Sequence, residues 1–270
     1  MNIQVHINKK TISIKDRAFN YGDGLFETIH IKNNKPLFIN DHINRLNYGC
    51  KKLKIPRVSS KLIREVVKKA ISKSDECIIK IIYSRGLSAH GYHYDTNIIP
   101  QLYVFKKSLD KSKKKTFINL AYSEYRIHEN SYLSKIKHLN RIEQILGFSM
   151  KSYPRNDDYI MLDCRKKIIE CISSNIFFYT YRNKTFKFIT PSLATCGIEG
   201  IMKQQIMKFL KRKKIKIIEK DIIKKDIINF DGCFVCNVVK GVQFVNKIDK
   251  KTIHHTLQIE DLLKKYIYEK

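Results

Sequence analysis

Apolar and polar positions follow two different periods along the first hundred residues. Short β-branched segments predict strands near residues 3–7, 11–14, 28–31, 78–83 and 102–105. Apolar residues at helical spacing predict one helix capped by Asn40 or Asp41 and a second helix after Ser59 and Ser60. The buried stripes of these helices are expected to contain Ile43, Leu46, Cys50 and Leu53, and Ile63, Val66, Val67, Ala70 and Ile71. Strands combined with packed helices indicate an α+β lobe.

Short strands dominate the second half of the chain. They are predicted near residues 117–121, 159–162, 167–170, 176–180, 186–189, 215–218, 233–235 and 242–245. Helices are predicted at about residues 138–150, from Gly197 or Ile198 onward, and at about residues 259–268. Because few helices separate these strands, a doubly wound parallel sheet is not expected.

A polar, lysine-rich stretch interrupts the apolar segments near the middle of the chain. Such a composition is typical of a linker or an exposed loop. At 270 residues the chain is long enough for two lobes of ordinary size. We therefore predict an N-terminal α+β lobe at residues 1–107, an interdomain linker at residues 108–115 and a C-terminal lobe at residues 116–270.

The formal net charge of +28 by itself favours nucleic acid or an anionic membrane as a partner. The basic residues are spread along the chain, however, Ile and Asn are abundant, Ala and Gly are scarce, and Trp is absent. This joint skew is typical of an A/T-rich genome in which Lys replaces other solvated residues. Since no aromatic-basic motif is present, we expect no nucleic acid and no membrane as a partner. The cationic surface is still suited to attracting acidic small molecules.

Seven scattered cysteines form an odd set, which is typical of reduced thiols in a cytoplasmic protein. Cys233 and Cys236 have the spacing of half a zinc or redox motif, but no second pair accompanies them and their neighbours predict a strand. We interpret them as structural and expect no metal site. The amino terminus has no charged-then-apolar leader and no run of about 18 apolar residues occurs, so a soluble intracellular protein is expected.

Two separate segments carry the most specific chemistry. Lys137 lies in IKHLNRIEQ at residues 136–144, and Glu170 lies in IIECISSN at residues 168–175. An amine condenses with an aldehyde as a Schiff base, and a carboxylate keeps a pyridine nitrogen protonated so that the ring accepts electrons. This pair is what a chain needs to hold pyridoxal phosphate.

Five stretches, in order, resemble the fold-type IV pyridoxal-phosphate enzymes, the class of the branched-chain and D-amino-acid aminotransferases. They are DRAFNYGDGLFET at residues 16–28, DHINRL at 41–46, KHLNR at 137–141, ECISSN at 170–175, and TPSL at 190–193 followed by GIEGI at 197–201. Within the class the chain most resembles the aminodeoxychorismate lyases, because the HLNR run after Lys137 belongs to that branch. The matches span nearly the whole chain.

The resemblance implies a two-lobed α+β fold, with an N-terminal α/β sandwich lobe and a C-terminal barrel-like β lobe with helices. It implies a homodimer that binds pyridoxal 5'-phosphate between the two lobes. It also implies a lyase that converts 4-amino-4-deoxychorismate to 4-aminobenzoate and pyruvate, the step that supplies the aromatic unit of folate. The alternative is an aminotransferase of the same fold that acts on D-amino or branched-chain amino acids.

Lys137 and Glu170 each have an ordinary interpretation as well. One lysine among so many is usually solvated, and a glutamate in a strand is often an exposed alternate position. The resemblance implies instead that Lys137 is the catalytic amine, which binds the cofactor and transfers protons. It likewise implies that Glu170 pairs with the pyridine nitrogen of the cofactor.

Arg45 lies off the apolar stripe of its helix, a position where arginine is usually solvated. The resemblance implies that Arg45 binds the cofactor phosphate through its guanidinium fork. It also implies main-chain phosphate contacts from Ile198 and Glu199 at the start of a helix, whose positive end attracts anions. The carboxylate of Glu199 is expected to point away from the phosphate.

Thr28, Arg85 and His90 are the substrate-binding residues that the same resemblance implies. The stretch SRGLSAHGY at residues 84–92 resembles a loop of the lyases, but this chain has Ser88 where glycine is common and His90 where a second arginine is common. Arg85 is expected to bind a carboxylate, and His90 to do so as a cation or as a neutral hydrogen-bond donor. Thr28 follows the Gly-Asp-Gly turn and contacts either the substrate or the core.

Overall fold

The computed structural model describes residues 2–71, 76–109, 115–149 and 156–268. Contacts between Cα atoms divide the chain into two units. The first contains residues 1–112 and 136–141, and the second contains residues 113–135 and 142–270. Each unit combines a β-sheet with helices, so the predicted α+β class is confirmed.

The first unit is built on a five-stranded sheet. Its elements are β1 (Gln4–Ile7), α1 (Arg17–Tyr21), β2 (Gly24–Lys32), β3 (Lys35–Pro36), α2 (Ile39–Leu53), α3 (Ser60–Ala70), β4 (Glu76–Ser84) and β5 (Gln101–Lys107). The strands lie in the order β1-β5-β4-β2-β3, with β1 parallel to β5 and the other pairs antiparallel. Helix α2 packs on β2, and α3 packs on β5.

Local signals decide some of these boundaries and tertiary contacts decide others. Helix α3 begins as predicted, because the Ser59 hydroxyl accepts the Leu62 N–H (3.1 Å) as an N-cap. Helix α2 begins at Ile39, and its N-cap is Phe38 in the left-handed conformation, so the predicted cap at Asn40 or Asp41 is wrong. Residues 11–14 lie outside every described strand, contrary to the prediction, because the turn that follows them is closed by a bond from the Asp16 N–H to the Ser13 carbonyl.

The second unit is built on a nine-stranded mixed sheet. Its elements are β6 (Phe117–Ile127), α4 (Ile142–Ser149), β7 (Asp158–Asp163), β8 (Ile168–Cys171), β9 (Asn175–Arg182), β10 (Thr185–Pro191), α5 (Ile201–Arg212), β11 (Lys216–Lys220), a 3-10 helix (Lys224–Asn229), β12 (Gly232–Asn237), β13 (Gly241–Ile248), β14 (Lys251–Thr252) and α6 (Leu257–Tyr268). The strand order is β11-β10-β9-β12-β13-β6-β7-β8, and β14 pairs with β13. Cys233 and Cys236 lie buried in β12, in agreement with the predicted strand.

Residues 136–141 lie within the predicted C-terminal lobe but group with the first unit. Leu25 and His138 form an antiparallel bridge, so the segment pairs with β2 of the first unit. Since these residues are extended, α4 begins at Ile142 and not near His138. Residues 110–114, the middle of the predicted linker, and Met150, the predicted helix end, lie outside the described residues.

Within the described part of the chain, no helix is both long enough and apolar enough to cross a membrane.

Candidate functional site

Lys137 lies on the extended segment that pairs with β2. The Phe26 N–H donates to the Lys137 carbonyl (2.9 Å), and the Leu139 N–H donates to the Gly24 carbonyl (3.0 Å). The Lys137 ammonium nitrogen lies 4.3 Å from the centre of the Phe26 ring. Because the residue is half-buried on an aromatic face, it is not an ordinary solvated lysine.

A second lysine contacts the same ring. Lys80 on β4 is the register partner of Thr28, and its ammonium nitrogen lies 5.4 Å from the centre of Phe26. Burial, and then the positive charge of Lys107, lowers the pKa of Lys80. Among the described residues, no carboxylate forms an ion pair with Lys80. The amines of Lys80 and Lys137 therefore both lie near the Phe26 ring.

Thr28 lies on the same face of the sheet as Phe26. Side chains two positions apart on a strand point to one side, and Thr28 is half-buried opposite Lys80. The first unit thus brings Thr28 and Lys137 to one face. A substrate contact by Thr28 stays a prediction.

The opposite face of β2 carries a buried charged cluster of Glu27, His42 and Arg45. Arg45 donates to both oxygens of Glu27, through Nε to Oε1 (2.8 Å) and through Nη2 to Oε2 (2.6 Å). His42 Nδ1 also lies 2.6 Å from Oε2. Burial raises the pKa of Glu27, but Arg45 and His42 outweigh burial and lower that pKa to about 2. The carboxylate is therefore ionised at neutral pH.

Arg45 is only 9% exposed, so the interpretation of a solvated arginine is wrong. Two of its N–H groups bind Glu27, which fixes the plane of the guanidinium. The predicted contact between Arg45 and a phosphate stays a prediction.

Arg85 is held by several partners in the first unit. Its guanidinium donates to both oxygens of Asp23 (2.7 and 3.0 Å) and to the carbonyls of Leu53 (2.8 Å) and Lys54 (3.1 Å). It also stacks on the Tyr94 ring, 4.1 Å from the ring centre. Arg85 is 6% exposed, and its contact with a substrate carboxylate stays a prediction.

His90 lies on an exposed loop and borders an open depression together with Lys15, Asp95 and Gln101. Its backbone N–H donates to the Ser88 hydroxyl (3.2 Å). Within the described part of the chain, the His90 side chain makes no hydrogen bond to Thr28 or Lys137. A substrate contact by His90 stays a prediction.

Glu170 lies in the second unit, on β8, and is 4% exposed. The exposed-strand interpretation is therefore wrong. Its Oε2 accepts hydrogen bonds from the Ile198 N–H (2.9 Å) and from the Asn175 amide (3.4 Å). These bonds hold a buried carboxylate in one orientation.

The loop that precedes α5 is tied to Glu170 through Asn175. The Asn175 amide donates to the Ile198 carbonyl (2.9 Å) and accepts from the Gly200 N–H (3.0 Å). Gly197 has a φ of +91°, and a Cβ there would lie 2.7 Å from the Ile169 side chain. Only glycine therefore lets the loop approach the Glu170 strand this closely.

Ile198 and Glu199 do not open α5, because the helix begins at Ile201 with Gly200 as its N-cap. The Ile198 N–H binds Glu170, and the Glu199 N–H donates to the Lys135 carbonyl (3.3 Å). A phosphate contact by either group requires these bonds to be exchanged. That contact stays a prediction.

His138, next to Lys137, is held neutral. Its Nε2 accepts a hydrogen bond from the Arg141 guanidinium. Burial, and then the positive charge of Arg141, lowers the pKa of His138 to about 3. At neutral pH, His138 is therefore not a charged proton donor.

Sequence reasoning did not select Phe26, Glu27, His42 or Lys80. Phe26, Glu27 and His42 lie inside the motifs at residues 16–28 and 41–46, so their positions in these motifs could have identified them as site residues. No sequence pattern distinguished Lys80, because a lysine at an alternate position of a strand is usually solvated.

We expect Glu27→Gln to lower the free energy of unfolding by about 3 kcal/mol at pH 7, since it leaves Arg45 and His42 without their buried anion. Because folding lowers the pKa of Glu27 from 4.5 to about 2, its contribution is complete above pH 4.5 and is lost as the pH falls toward 2. The difference in unfolding free energy between the wild type and the variant should therefore become smaller as the pH falls from 4.5 toward 2. Urea unfolding at several pH values measures both effects, with the exposed Glu65→Gln as control. An equal loss at every pH would contradict the assignment.

Comparison with known proteins agrees with the resemblance seen in the motifs. An aminodeoxychorismate lyase of Vibrio harveyi is 27% identical over 240 residues, which cover 88% of this chain and 87% of that protein. The solved structure of 4-amino-4-deoxychorismate lyase from Pseudomonas aeruginosa matches with a TM-score of 0.86 and 24% identity, over 97% of this chain and 96% of that one. A hypothetical aminotransferase from Mycobacterium tuberculosis, in its PLP-bound form, matches with a TM-score of 0.82 and 16% identity, over 97% and 95% of the two chains.

These structural matches confirm the predicted two-lobed fold. The family model described as Amino-transferase class IV matches residues 24–248, most of the chain. The protein therefore belongs to the class IV aminotransferase family.

Proposed function

We propose that this protein is a pyridoxal-phosphate-dependent lyase that converts 4-amino-4-deoxychorismate to 4-aminobenzoate and pyruvate, and so supplies the aromatic unit of folate. The observation that carries the proposal is that the amines of Lys137 and Lys80 both contact the Phe26 ring. Lys80 is half-buried and has no carboxylate partner among the described residues. The substrate has an amine and carboxylates, so it offers a partner to each lysine. The Vibrio harveyi lyase supports the same reaction. We extend the proposal to a cytoplasmic homodimer, which the resemblance implies.

The residues present fit pyridoxal phosphate by the chemistry of their donors. Lys137 provides an amine for the aldehyde, Glu170 a buried carboxylate for the pyridine nitrogen, and Arg45 a guanidinium for the phosphate. The cluster around Arg45 also contains a buried polar atom, His42 Nε2, that has no partner among the described residues. When bound, the cofactor supplies an aldehyde that links to amines and a ring that accepts electrons.

Lys137 has two tasks in the proposed reaction. With the cofactor and substrate bound, the Lys137 amine would remove the proton from the amine-bearing carbon of the substrate. Lys137 then delivers a proton to the departing enolpyruvyl group, which leaves as pyruvate while the six-membered ring becomes aromatic. The Phe26 ring limits the positions that the amine can occupy.

Lys80 has the task of recognising the substrate. An ammonium group without a carboxylate partner binds an incoming carboxylate at a smaller cost than one that must first break an ion pair. Lys80 contacts the ring that Lys137 also contacts, so a substrate held at Lys80 is kept near the reacting amine. A dicarboxylate substrate uses this cation better than an amino acid with an apolar side chain does.

Lys137→Ala should abolish covalent attachment of pyridoxal phosphate and lower turnover by at least about 1000-fold, since the variant has no amine to link the aldehyde or move the proton. Borohydride reduction followed by peptide mass spectrometry locates the attachment, and 4-aminobenzoate release measures turnover. The exposed Lys187→Ala is the control and should retain both. Normal turnover in the Lys137 variant would refute the proposal.

Glu170→Gln should still attach the cofactor to Lys137 but slow proton removal by about 100-fold or more, because a neutral amide does not keep the pyridine nitrogen protonated. The rate is measured with substrate deuterated at the amine-bearing carbon. A larger isotope effect in the variant than in the wild type identifies the slowed step. An unchanged rate would exclude the proposed role of Glu170.

Lys80→Met should raise KM for the lyase substrate about tenfold or more and leave kcat within a few-fold, because the lost bond to a carboxylate serves binding. Attachment of the cofactor to Lys137 should not change. Lys32→Met, an exposed position on β2 of the same sheet, is the control. A KM equal to that of the wild type would show that Lys80 does not recognise the substrate.

The second candidate is an aminotransferase that acts on D-amino or branched-chain amino acids, which relatives named branched-chain-amino-acid aminotransferase and D-alanine aminotransferase favour. The two activities are separated by incubating the protein with pyruvate or 2-oxoglutarate and amino donors. A transaminase forms a new keto acid and leaves the cofactor as its amine, whereas the lyase forms 4-aminobenzoate without an acceptor.

A further inference from the structure

Asp163 is a buried carboxylate that the proposed reaction does not use. It is the last residue of β7 and is 1% exposed. Its Oδ1 accepts the Lys167 N–H (2.8 Å), but its Oδ2 is buried and has no hydrogen-bond partner among the described residues. A buried negative charge without full compensation is costly. A positive charge that a ligand brings to the same side of the sheet would offset that cost.

Asp163 lies on the same face of the sheet as Glu170. Met161 pairs with Glu170 across β7 and β8, and paired residues share a face. Asp163 is two positions after Met161 on β7, so its side chain points to that face as well. Its register partner on β6, Ile127, belongs with Met161 to one buried apolar cluster. Leu162, between Met161 and Asp163, belongs to the other cluster, as the alternation requires.

Cys196 is close to both carboxylates. It is buried in the apolar cluster that contains Met161. Burial, and then the negative charges of Asp163 and Glu170, raises the pKa of its thiol. The next residue, Gly197, approaches Glu170 so closely that a Cβ there would lie 3.6 Å from the carboxyl carbon. Asp163 and Glu170 therefore share buried, largely apolar surroundings, which screen a charge far less than water does.

The other charged groups around Asp163 are paired with one another. Lys167 forms an ion pair with Asp221 (2.6 Å), and Arg165 forms one with Glu129 (2.9 Å). The bond to Asp221, and then the charge of Asp163, raises the pKa of Lys167. Glu129 adds a third negative charge near the apolar cluster, which Arg165 offsets. Among the described residues, no cation forms an ion pair with Asp163 itself.

We propose that Asp163 supplies a second negative charge, in addition to that of Glu170, which favours a proton on the pyridine nitrogen of the bound cofactor. This inference rests on the proposed function, because it takes pyridoxal phosphate as the cofactor and Glu170 as the partner of its ring nitrogen. Asp163 acts at a distance, through the electrostatic field in the apolar surroundings. Its charge keeps the ring protonated, and so able to accept electrons, up to a higher pH.

The test follows the proton on the pyridine nitrogen directly. Pyridoxal phosphate with nitrogen-15 in its ring is fixed to Lys137 by borohydride, and the nitrogen-15 chemical shift is recorded against pH. Glu170→Gln protein is used with and without Asp163→Asn, because the Glu170 carboxylate alone keeps the nitrogen protonated over a wide range. We expect Asp163→Asn to lower the titration midpoint by about 0.5 to 1 pH unit, the effect of one partly screened charge. An unchanged midpoint would overturn the inference.

Asp163→Asn removes the charge and preserves the turn. The amide oxygen still accepts the Lys167 N–H, and the amide nitrogen replaces the oxygen that has no partner. Asp221→Asn is the matched control, since it removes an exposed carboxylate that pairs with the same lysine and is screened by solvent. It should leave the midpoint in place. An equal fall in both variants would show a general effect of net charge and would also overturn the inference.

Two further variants cover the case in which Asp163→Asn does not fold. The hydroxyl of Asp163→Ser can still accept the Lys167 N–H, so this neutral variant should lower the midpoint by the same amount. Asp163→Glu keeps the charge and should keep the midpoint. If the glutamate lowers the midpoint as far as a neutral residue does, the effect is structural and the inference fails.

Failure of the inference is distinct from failure of the proposed function. If the wild type attaches no pyridoxal phosphate to Lys137, the proposed function fails and this inference fails with it. If the cofactor attaches but the midpoint does not depend on the charge of Asp163, only the inference is lost.

Discussion

The pairing of residues 136–141 with β2 is the constraint on which the candidate site depends. Two main-chain hydrogen bonds, from Phe26 to Lys137 and from Leu139 to Gly24, fix the segment along the start of the strand. The approach is so close that a Cβ on Gly24 would lie 2.8 Å from the Leu139 side chain and 2.5 Å from the Tyr83 carbonyl. The second glycine of the Gly-Asp-Gly turn is therefore required chiefly by the backbone of β4, and the Leu139 side chain of the lysine segment packs against the same position. Backbone packing therefore fixes the position of the lysine segment in the candidate site.

The functional side chains lie on two opposite faces of strand β2. Phe26 and Thr28 point to the face that carries Lys80 and Lys137, and Glu27 points to the face that carries His42 and Arg45. A shift of one residue in the register of β2 would exchange these sets, because successive side chains alternate between faces. The register with β4, which extends over the whole strand from Gly24 to Lys32, fixes this division.

The net charge of +28 does not identify which cation could bind an acidic ligand. The buried arginines of the first unit are matched by carboxylates: Asp23 binds Arg17 and Arg85, and Glu27 binds Arg45. Lys80 is half-buried without such a partner in the described part of the chain. The distribution of carboxylates, and not the number of lysines, therefore determines which cation can attract a substrate.

The sequence by itself determined the α+β class, the helix capped by Ser59, most of the strands and the family, because these depend on local periodicity and on motifs that span the chain. It also identified Lys137 and Glu170 as the residues to examine. Only the tertiary structure decided that Arg85 pairs with Asp23, since the two residues are 62 positions apart. The same holds for the start of α5 at Ile201, because Asn175 and Lys135 hold the preceding loop out of the helix. Burial, pairing and charge compensation depend on residues that are distant in sequence, and no local pattern encodes them.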